Sequence, residues 1–321
     1  MTPSEKISFA AALSTRFHDL LVLGKPRITL MVLVATAVGY LLAAALLPEW
    51  GHLGRVLLGT LLVSVGINAL NQYMERDTDG LMARTSSRPL PAGRMRPRTV
   101  LASAVASSLA GVALLAYWAN PLVGLIGALV VITYLLCYTP LKRQSGLNTL
   151  VGAIPGALPP VLGWAAVRGE VGLEALALFL ILFMWQPPHF LAIAYLYRKD
   201  YAQAGMSMLT VLDPSGKATR RQLIVYSATL VPVSMYPTMI GMSGVIYFYG
   251  ALGLALCFLA AAMGMVLWPG RVAAQILLKV SVVFLLLLFG LMLFDSRIAF
   301  HDHSQGHGAA SAQPAAQTTI I

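Results

Sequence analysis

Stretches of about twenty apolar residues recur from residue 29 almost to the end of the 321-residue chain, separated by shorter polar segments. That length matches the ~30 Å of hydrocarbon a helix has to cross. The hydropathy pattern predicts nine spans, at 29–48, 53–72, 99–118, 121–139, 149–167, 172–194, 223–243, 246–267 and 275–295. Backbone polar groups in lipid have to be satisfied within their own segment, so the expected fold is an all-α polytopic membrane bundle rather than two soluble domains. Three parts follow: a polar N-terminal segment 1–28, a transmembrane domain 29–295, and a tail 296–321. The end of that tail, "HDHSQGHGAASAQPAAQTTII", is low in complexity and is expected to be disordered.

Short connections such as "LPEWGH", "AN" and "RGEV" alternate with long charged ones, so consecutive helices are expected to pair as hairpins with the polar loops on one side. Of the 22 lysines and arginines, all but Arg55, Arg168 and Arg297 fall on that side. This bias predicts that the N-terminus and the long loops face the cytoplasm of a cell inner membrane, with a mitochondrial inner membrane as the lesser alternative. Composition agrees with a membrane setting: 58% of residues are hydrophobic, 11% are charged, and the mean hydropathy is +0.77. The net charge of +10 then reflects topology and attraction to anionic lipid, and no nucleic-acid partner is expected. Cys137 and Cys257 lie inside expected spans as small packing residues, without disulfide or zinc spacing.

The charged residues beside the second span carry the chemistry. In "NQYMERDTDGLMARTSSRPLPAG" (71–93), Asn71, Glu75 and Asp79 stand four residues apart. Each such step turns only about 40° around a helix, so a helix continued past Asn71 aligns their oxygens. Asp77 falls away from that stripe, and Gly80 is a place for the helix to unwind. Such a stripe suits magnesium, which takes one or two protein carboxylates plus water and substrate phosphate. Arg84, Arg88 and Arg94 follow in one loop, and guanidinium groups match phosphate oxygens. The alternative is a solvated loop whose charges pair among themselves.

Two further stretches matter. "YTPLKRQSGLNTLVGAIPGALPPVLGW" (138–164) brings Lys142 and Arg143 to the same membrane face as that loop. Its Pro155, Pro159 and Pro160 make the fifth span an irregular helix, either lining a cavity or packing closely through small residues. "MWQPPHFLAIAYLYRKDYAQAGMSMLTV" (184–211) places His189 after Pro187 and Pro188 near the end of the sixth span. An intramembrane ionisable residue is a functional candidate, with a hydrogen bond to a neighbouring helix as the alternative.

These blocks, with the "KPR" triplet Lys25-Pro26-Arg27, resemble the signature stretches of the protoheme IX farnesyltransferase (haem O synthase) branch of the UbiA superfamily of intramembrane prenyltransferases. The resemblance covers roughly residues 20–215 directly. It implies a nine-helix bundle around a central cavity and transfer of farnesyl from farnesyl diphosphate to a vinyl group of haem b. Water addition then gives haem O and diphosphate, with Mg²⁺ assisting. By the same resemblance Asn71, Glu75 and Asp79 form the first acidic motif, with Glu75 where an aspartate is commoner. The second acidic motif retains one carboxylate, Asp200 beside Tyr201, as a further metal ligand. Arg84, Arg88, Lys142 and Arg143 are expected to stabilise the departing diphosphate, and His189, Arg198 and Lys199 to serve the haem side. Trp164, Trp185 and Tyr195 are candidates to pack on the macrocycle. Membrane lipid and, as protein partners, haem A synthase or terminal-oxidase assembly proteins complete the expectation.

Two alternatives stand beside it. One is a UbiA-type enzyme acting on a quinone precursor or chlorophyllide. The other is a transporter, whose broken helices would resemble Pro155, Pro188 and His189, although no second copy of the Asn71–Asp79 pattern is found.

Overall fold

The computed structural model describes residues 15–45 and 47–310, with side chains described as far as Ser296. Lys6 and the segment 311–321 lie outside the described residues, as do the side chains of 297–310. The described residues form helices and turns. A helix over 15–24 (α1) leads into α2 (Pro26–Ala44), α3 (Trp50–Asp79), α4 (Pro97–Trp118), α5 (Pro121–Leu141), α6 (Asn148–Arg168) and α7 (Leu173–Leu196). Two short helices follow, α8 (Arg198–Gln203) and α9 (Leu209–Leu212), then α10 (Lys217–Met239), α11 (Val245–Leu267) and α12 (Arg271–Ala310).

Eight helices among the described residues are long and apolar enough to cross a membrane: α2 to α7, α11, and α12 over Arg271–Ser296. The ninth expected span is α10, 23 residues long but more polar, packed along α7 and α11. It begins six residues before the expected 223, at Lys217. Asp213 accepts hydrogen bonds from the Thr219 backbone N–H (2.9 Å) and hydroxyl (3.1 Å), so a polar first turn forms that hydropathy does not register. Prolines at the first turn open α2, α4 and α5, where their missing N–H has no partner to lose.

Helices α2 to α6 pack in a closed circuit, α2–α3–α4–α5–α6–α2, and α7, α10, α11 and α12 pack in a second. α6 joins α7, and α2 touches α12, so the two groups share a wall. Small residues set the closeness. A side-chain carbon added at Gly39 would strike the Pro160 carbonyl, and one at Gly163 the Thr36 carbonyl, which presses α2 and α6 together backbone to backbone. At the α3–α4 contact a carbon on Gly111 would lie 2.7 Å from the Val63 nitrogen. The prolines of α6 therefore sit in an unbroken helix that packs closely, the second of the two readings offered for that span. Outward positions such as Leu109, Leu125, Leu136, Val283 and Leu287 remain exposed, as a lipid-facing surface requires. Cys137 and Cys257 are also exposed rather than packed inside, because they fall on the outward faces of α5 and α11.

Two features aim side chains at one end. α3 has 30 residues and is about 45 Å long, so it outruns the ~30 Å hydrocarbon and carries Asn71 to Asp79 to the polar boundary. In α5 a π-helical turn over Thr133–Tyr138 precedes Pro140, which has no N–H to continue the ladder. Substituting Gly39→Ala is expected to lower thermal stability in detergent by about 1–3 kcal/mol through overpacking against backbone. Gly253→Ala, with nothing within 4 Å of the added carbon, should be neutral or slightly stabilising.

Candidate active site

The stripe on α3 forms as its spacing requires. Asn71, Glu75 and Asp79 are all buried on one helix face, whereas Asp77 is exposed beside Arg76 at 3.7 Å. The helix stays regular through Asp79 and ends at Gly80 in a right-handed conformation, so it does not unwind early. Cations from three other segments meet the stripe. Lys142 Nζ donates to Glu75 Oε1 at 2.7 Å, Arg88 Nη1 donates to Asp79 Oδ2 at 2.6 Å, and Lys25 Nζ donates to Asn71 Oδ1 at 2.7 Å. Asn71 Nδ2 reaches the Thr139 hydroxyl at 3.4 Å.

Each cation is held in place by its own surroundings. Lys25 joins α1 to α2 with φ of 47°, an uncommon left-handed conformation for a side-chain-bearing residue. The turn is tied to α3: Gln72 Nε2 donates to the carbonyls of Val22 (3.1 Å) and Leu23 (2.9 Å), and Asn68 Nδ2 donates to that of Gly24 (3.2 Å). Lys142 lies over the Tyr138 ring, 4.5 Å from its centroid. Its loop is stapled to the segment after α8, where the Ser207 N–H donates to the Lys142 carbonyl at 2.7 Å and Asn148 Nδ2 to that of Ser207 at 3.0 Å. Arg88 belongs to a loop fixed by the Thr85 hydroxyl, which donates to the Asp79 carbonyl at 2.9 Å.

Electrostatically the cluster carries more cations than acids. Burial, followed by the nearby positive charges of Arg88 and Lys142, pushes Lys25 down to about 7. Burial alone would lower Lys142 too, but the Glu75 carboxylate outweighs it and holds that ammonium well above its ordinary value. An added anion would relieve this excess. The donor set also fits a hard divalent ion. Asp79 Oδ1 is buried with no hydrogen-bond partner among the described residues, so a lone pair is open on the helix face that also carries Asn71 and Glu75.

The remaining expected residues divide. Arg143 is exposed at the rim, 3.4 Å from the Thr78 hydroxyl, and Arg84 is exposed with its guanidinium 4.7 Å from the Tyr197 ring centroid. Arg94 forms a two-pronged pair with Asp19 (2.8 Å at its shortest), so it pins α1 to the loop and does not face the stripe. Asp200 lies on α8, whose end packs over buried Met82, and no group of three or more His, Cys, Asp or Glu side chains is placed to hold a metal among the described residues. No direct contact ties Asp200 to Glu75 or Asp79 among the described residues. Lys199 is exposed, and Arg198 lines a cavity of about 190 Å³ with Asp213 and Arg220 rather than the α3 stripe. His189 Nδ1 lies 2.7 Å from Ser281 Oγ on α12, with its ring stacked on Trp185. Trp164 is buried under Arg168, and Tyr195 lines the same cavity as Arg198.

The family model described as the UbiA prenyltransferase family matches residues 32–289. The chain belongs to the UbiA prenyltransferase family. Among named UbiA relatives, a protoheme IX farnesyltransferase from Solibacter usitatus is 44% identical over 287 residues, covering 87% of this chain and 98% of the relative. Another from Koribacter versatilis is 40% identical over 288 residues, covering 86% and 92%. Solved UbiA-type structures share the fold. A digeranylgeranylglyceryl phosphate synthase superposes with a TM-score of 0.75 at 14% identity, covering 88% of this chain and 99% of its own. A UbiA homologue from Archaeoglobus fulgidus bound to DMAPP and Mg²⁺ superposes at 0.61 and 20% identity, covering 85% and 99%. UbiA membership sets the transporter reading aside.

Lys25 joins the site through its bond to Asn71, a role that its place in the "KPR" triplet does not signal. Replacing it by Lys25→Met is expected to weaken inorganic pyrophosphate binding about ten- to a hundredfold, the worth of one charged hydrogen bond. Arg94→Met should leave that affinity unchanged while lowering thermal stability. Calorimetric titration and melting of the purified variants check both.

Proposed function

We propose that this protein transfers the farnesyl group of farnesyl diphosphate to a vinyl carbon of haem b, with addition of water, to give haem O and diphosphate. The observation that carries the reading is the buried Glu75–Asp79 stripe ringed by Lys142, Arg88 and Lys25 at the polar end of a membrane bundle. Relatives named protoheme IX farnesyltransferase across most of the chain supply the acceptor. The distribution of basic residues supports polar loops facing the cytoplasm, and the acidic Glu5 and Asp19 of the N-terminal segment favour a bacterial inner membrane over a mitochondrial one.

Asn71, Glu75 and Asp79 would hold Mg²⁺, which when bound supplies Lewis-acid stabilisation of the departing diphosphate. Lys25, Arg88 and Lys142 place cationic donors where the diphosphate oxygens gain charge, with Arg84 and Arg143 at the rim. In the protein Arg88 and Lys142 lie on the carboxylates, and Lys25 on the Asn71 amide oxygen. A magnesium diphosphate brings the complementary charges, so the pairs exchange partners and no buried charge is left bare. As the allylic C–O bond breaks, its electron pair leaves with the diphosphate. The vinyl π pair then forms the new C–C bond, and water adds to the resulting cation with loss of a proton. No protein nucleophile is needed. His189 serves the haem side.

Membranes containing the protein, incubated with haem b, farnesyl diphosphate and Mg²⁺, are expected to yield a haem heavier by one farnesyl and one hydroxyl group in mass spectrometry. A prenylated quinone precursor with unmodified haem would overturn the acceptor assignment. Asp79→Ala should abolish turnover with normal membrane insertion; full activity would remove the metal-site reading. His189→Ala should impair haem use more than farnesyl diphosphate binding, whereas equal loss of both would count against the haem-side role.

A further inference from the structure

We propose that Ser281 is a positioning residue that fixes His189 as the Nδ1–H tautomer, leaving Nε2 unprotonated toward the acceptor substrate. The inference rests on the haem-side reading of His189 given above. Its basis is a count of hydrogens. Ser281 Oγ lies 2.7 Å from the Leu278 carbonyl oxygen one turn back along α12, and 2.7 Å from His189 Nδ1. A hydroxyl has one hydrogen and a carbonyl oxygen has none to give, so the hydroxyl hydrogen points to Leu278. The second contact then needs a hydrogen from the imidazole, and Nδ1–H donates to the Ser281 lone pair. A neutral imidazole carries one N–H, so Nε2 keeps its lone pair.

The ring plane is fixed through the same residue. The Trp185 indole N–H donates to the Ser281 carbonyl at 2.7 Å, and the His189 ring stacks on Trp185 with centroids 4.7 Å apart and planes 24° from parallel. Trp185 and His189 are four residues apart on α7 and share a face. Ser281 thus holds both rings, the indole by its backbone and the imidazole by its side chain. It is fully buried and is the sole hydroxyl residue between Gln275 and Asp295, in a run otherwise made of aliphatic and aromatic residues apart from Lys279, Gly290 and Met292. His189 is flanked by Trp185, Phe190 and Ser281, none of them an acid. An unprotonated nitrogen so oriented can bind haem iron or accept the proton of the adding water.

Nitrogen-15 NMR of histidine-labelled full-length protein in detergent, with His189→Ala identifying the signal, reads the tautomer directly. The expected spectrum has Nδ1 protonated and Nε2 bare, changing to a tautomer mixture in Ser281→Ala and restored in Ser281→Thr. An Nε2–H or doubly protonated ring in the unaltered protein overturns the proposal. In parallel, haem b titration followed by the Soret band should show roughly two- to tenfold weaker binding or a shifted band in Ser281→Ala, the worth of one hydrogen bond. Thermal melts show that the variant is folded. If His189→Ala changes haem binding and Ser281→Ala does not, the positioning role fails alone. If His189→Ala binds haem unchanged, the underlying haem-side reading fails first.

Discussion

Two carboxylates buried at the polar end of one helix cannot stand alone in a protein this apolar. Glu75 and Asp79 are charge-bearing groups near hydrocarbon, and desolvating each without a partner would cost several kcal/mol. Lys142 and Arg88 meet that requirement from segments 67 and nine residues away, and Lys25 completes the ring through Asn71. Much of the polar end is arranged to deliver those three cations. The α1–α2 corner is tied to α3 by Gln72 and Asn68, the loop after α5 is stapled by Ser207 and Asn148, and the loop after α3 is pinned by Thr85 and by the Arg94–Asp19 pair.

This arrangement makes the site both stable and exchangeable. The ion pairs satisfy the acids, yet the Asp79 oxygen without a partner and the surplus of cations leave room for a ligand bearing both a metal and an anion. Below the polar end, the helices contribute rigidity. Glycines at the α2–α6 and α3–α4 contacts let backbones touch, and lipid supplies no hydrophobic force between helices to replace that packing. The two helix groups that share the α6–α7 wall hold the two polar features apart: the acidic stripe lies on α3 in one group, and His189 meets Ser281 of α12 in the other.

The fold was legible in the sequence because spans of fixed length and the bias of basic residues are dictated by the bilayer, whatever the tertiary contacts. The α3 stripe was legible because four-residue spacing fixes a helix face. Tertiary partners were not. Lys25 looked like a helix-start residue, and only the bonds from Gln72 and Asn68 to the preceding carbonyls turn it toward Asn71. Arg94 looked equal to Arg88 in the same loop, but Asp19, 75 residues earlier, claims it. Asp200 followed a motif, and among the described residues it joins no cluster of three acids. His189 drew notice from its depth in the membrane, yet its partner Ser281 stands 92 residues on, in a stretch that reads as plain lipid-spanning helix.

Whether α3 presents its oxygens to a metal that arrives with a diphosphate is tested most directly by equilibrium binding of a non-hydrolysable farnesyl diphosphate analogue to the purified protein with and without Mg²⁺. Affinity should rise with Mg²⁺ in the unaltered protein, and the Mg²⁺ dependence should vanish in the Glu75→Gln, Asp79→Asn double variant while a basal, cation-driven affinity persists. Binding that is indifferent to Mg²⁺ in the unaltered protein, or equally Mg²⁺-dependent in the double variant, would contradict it.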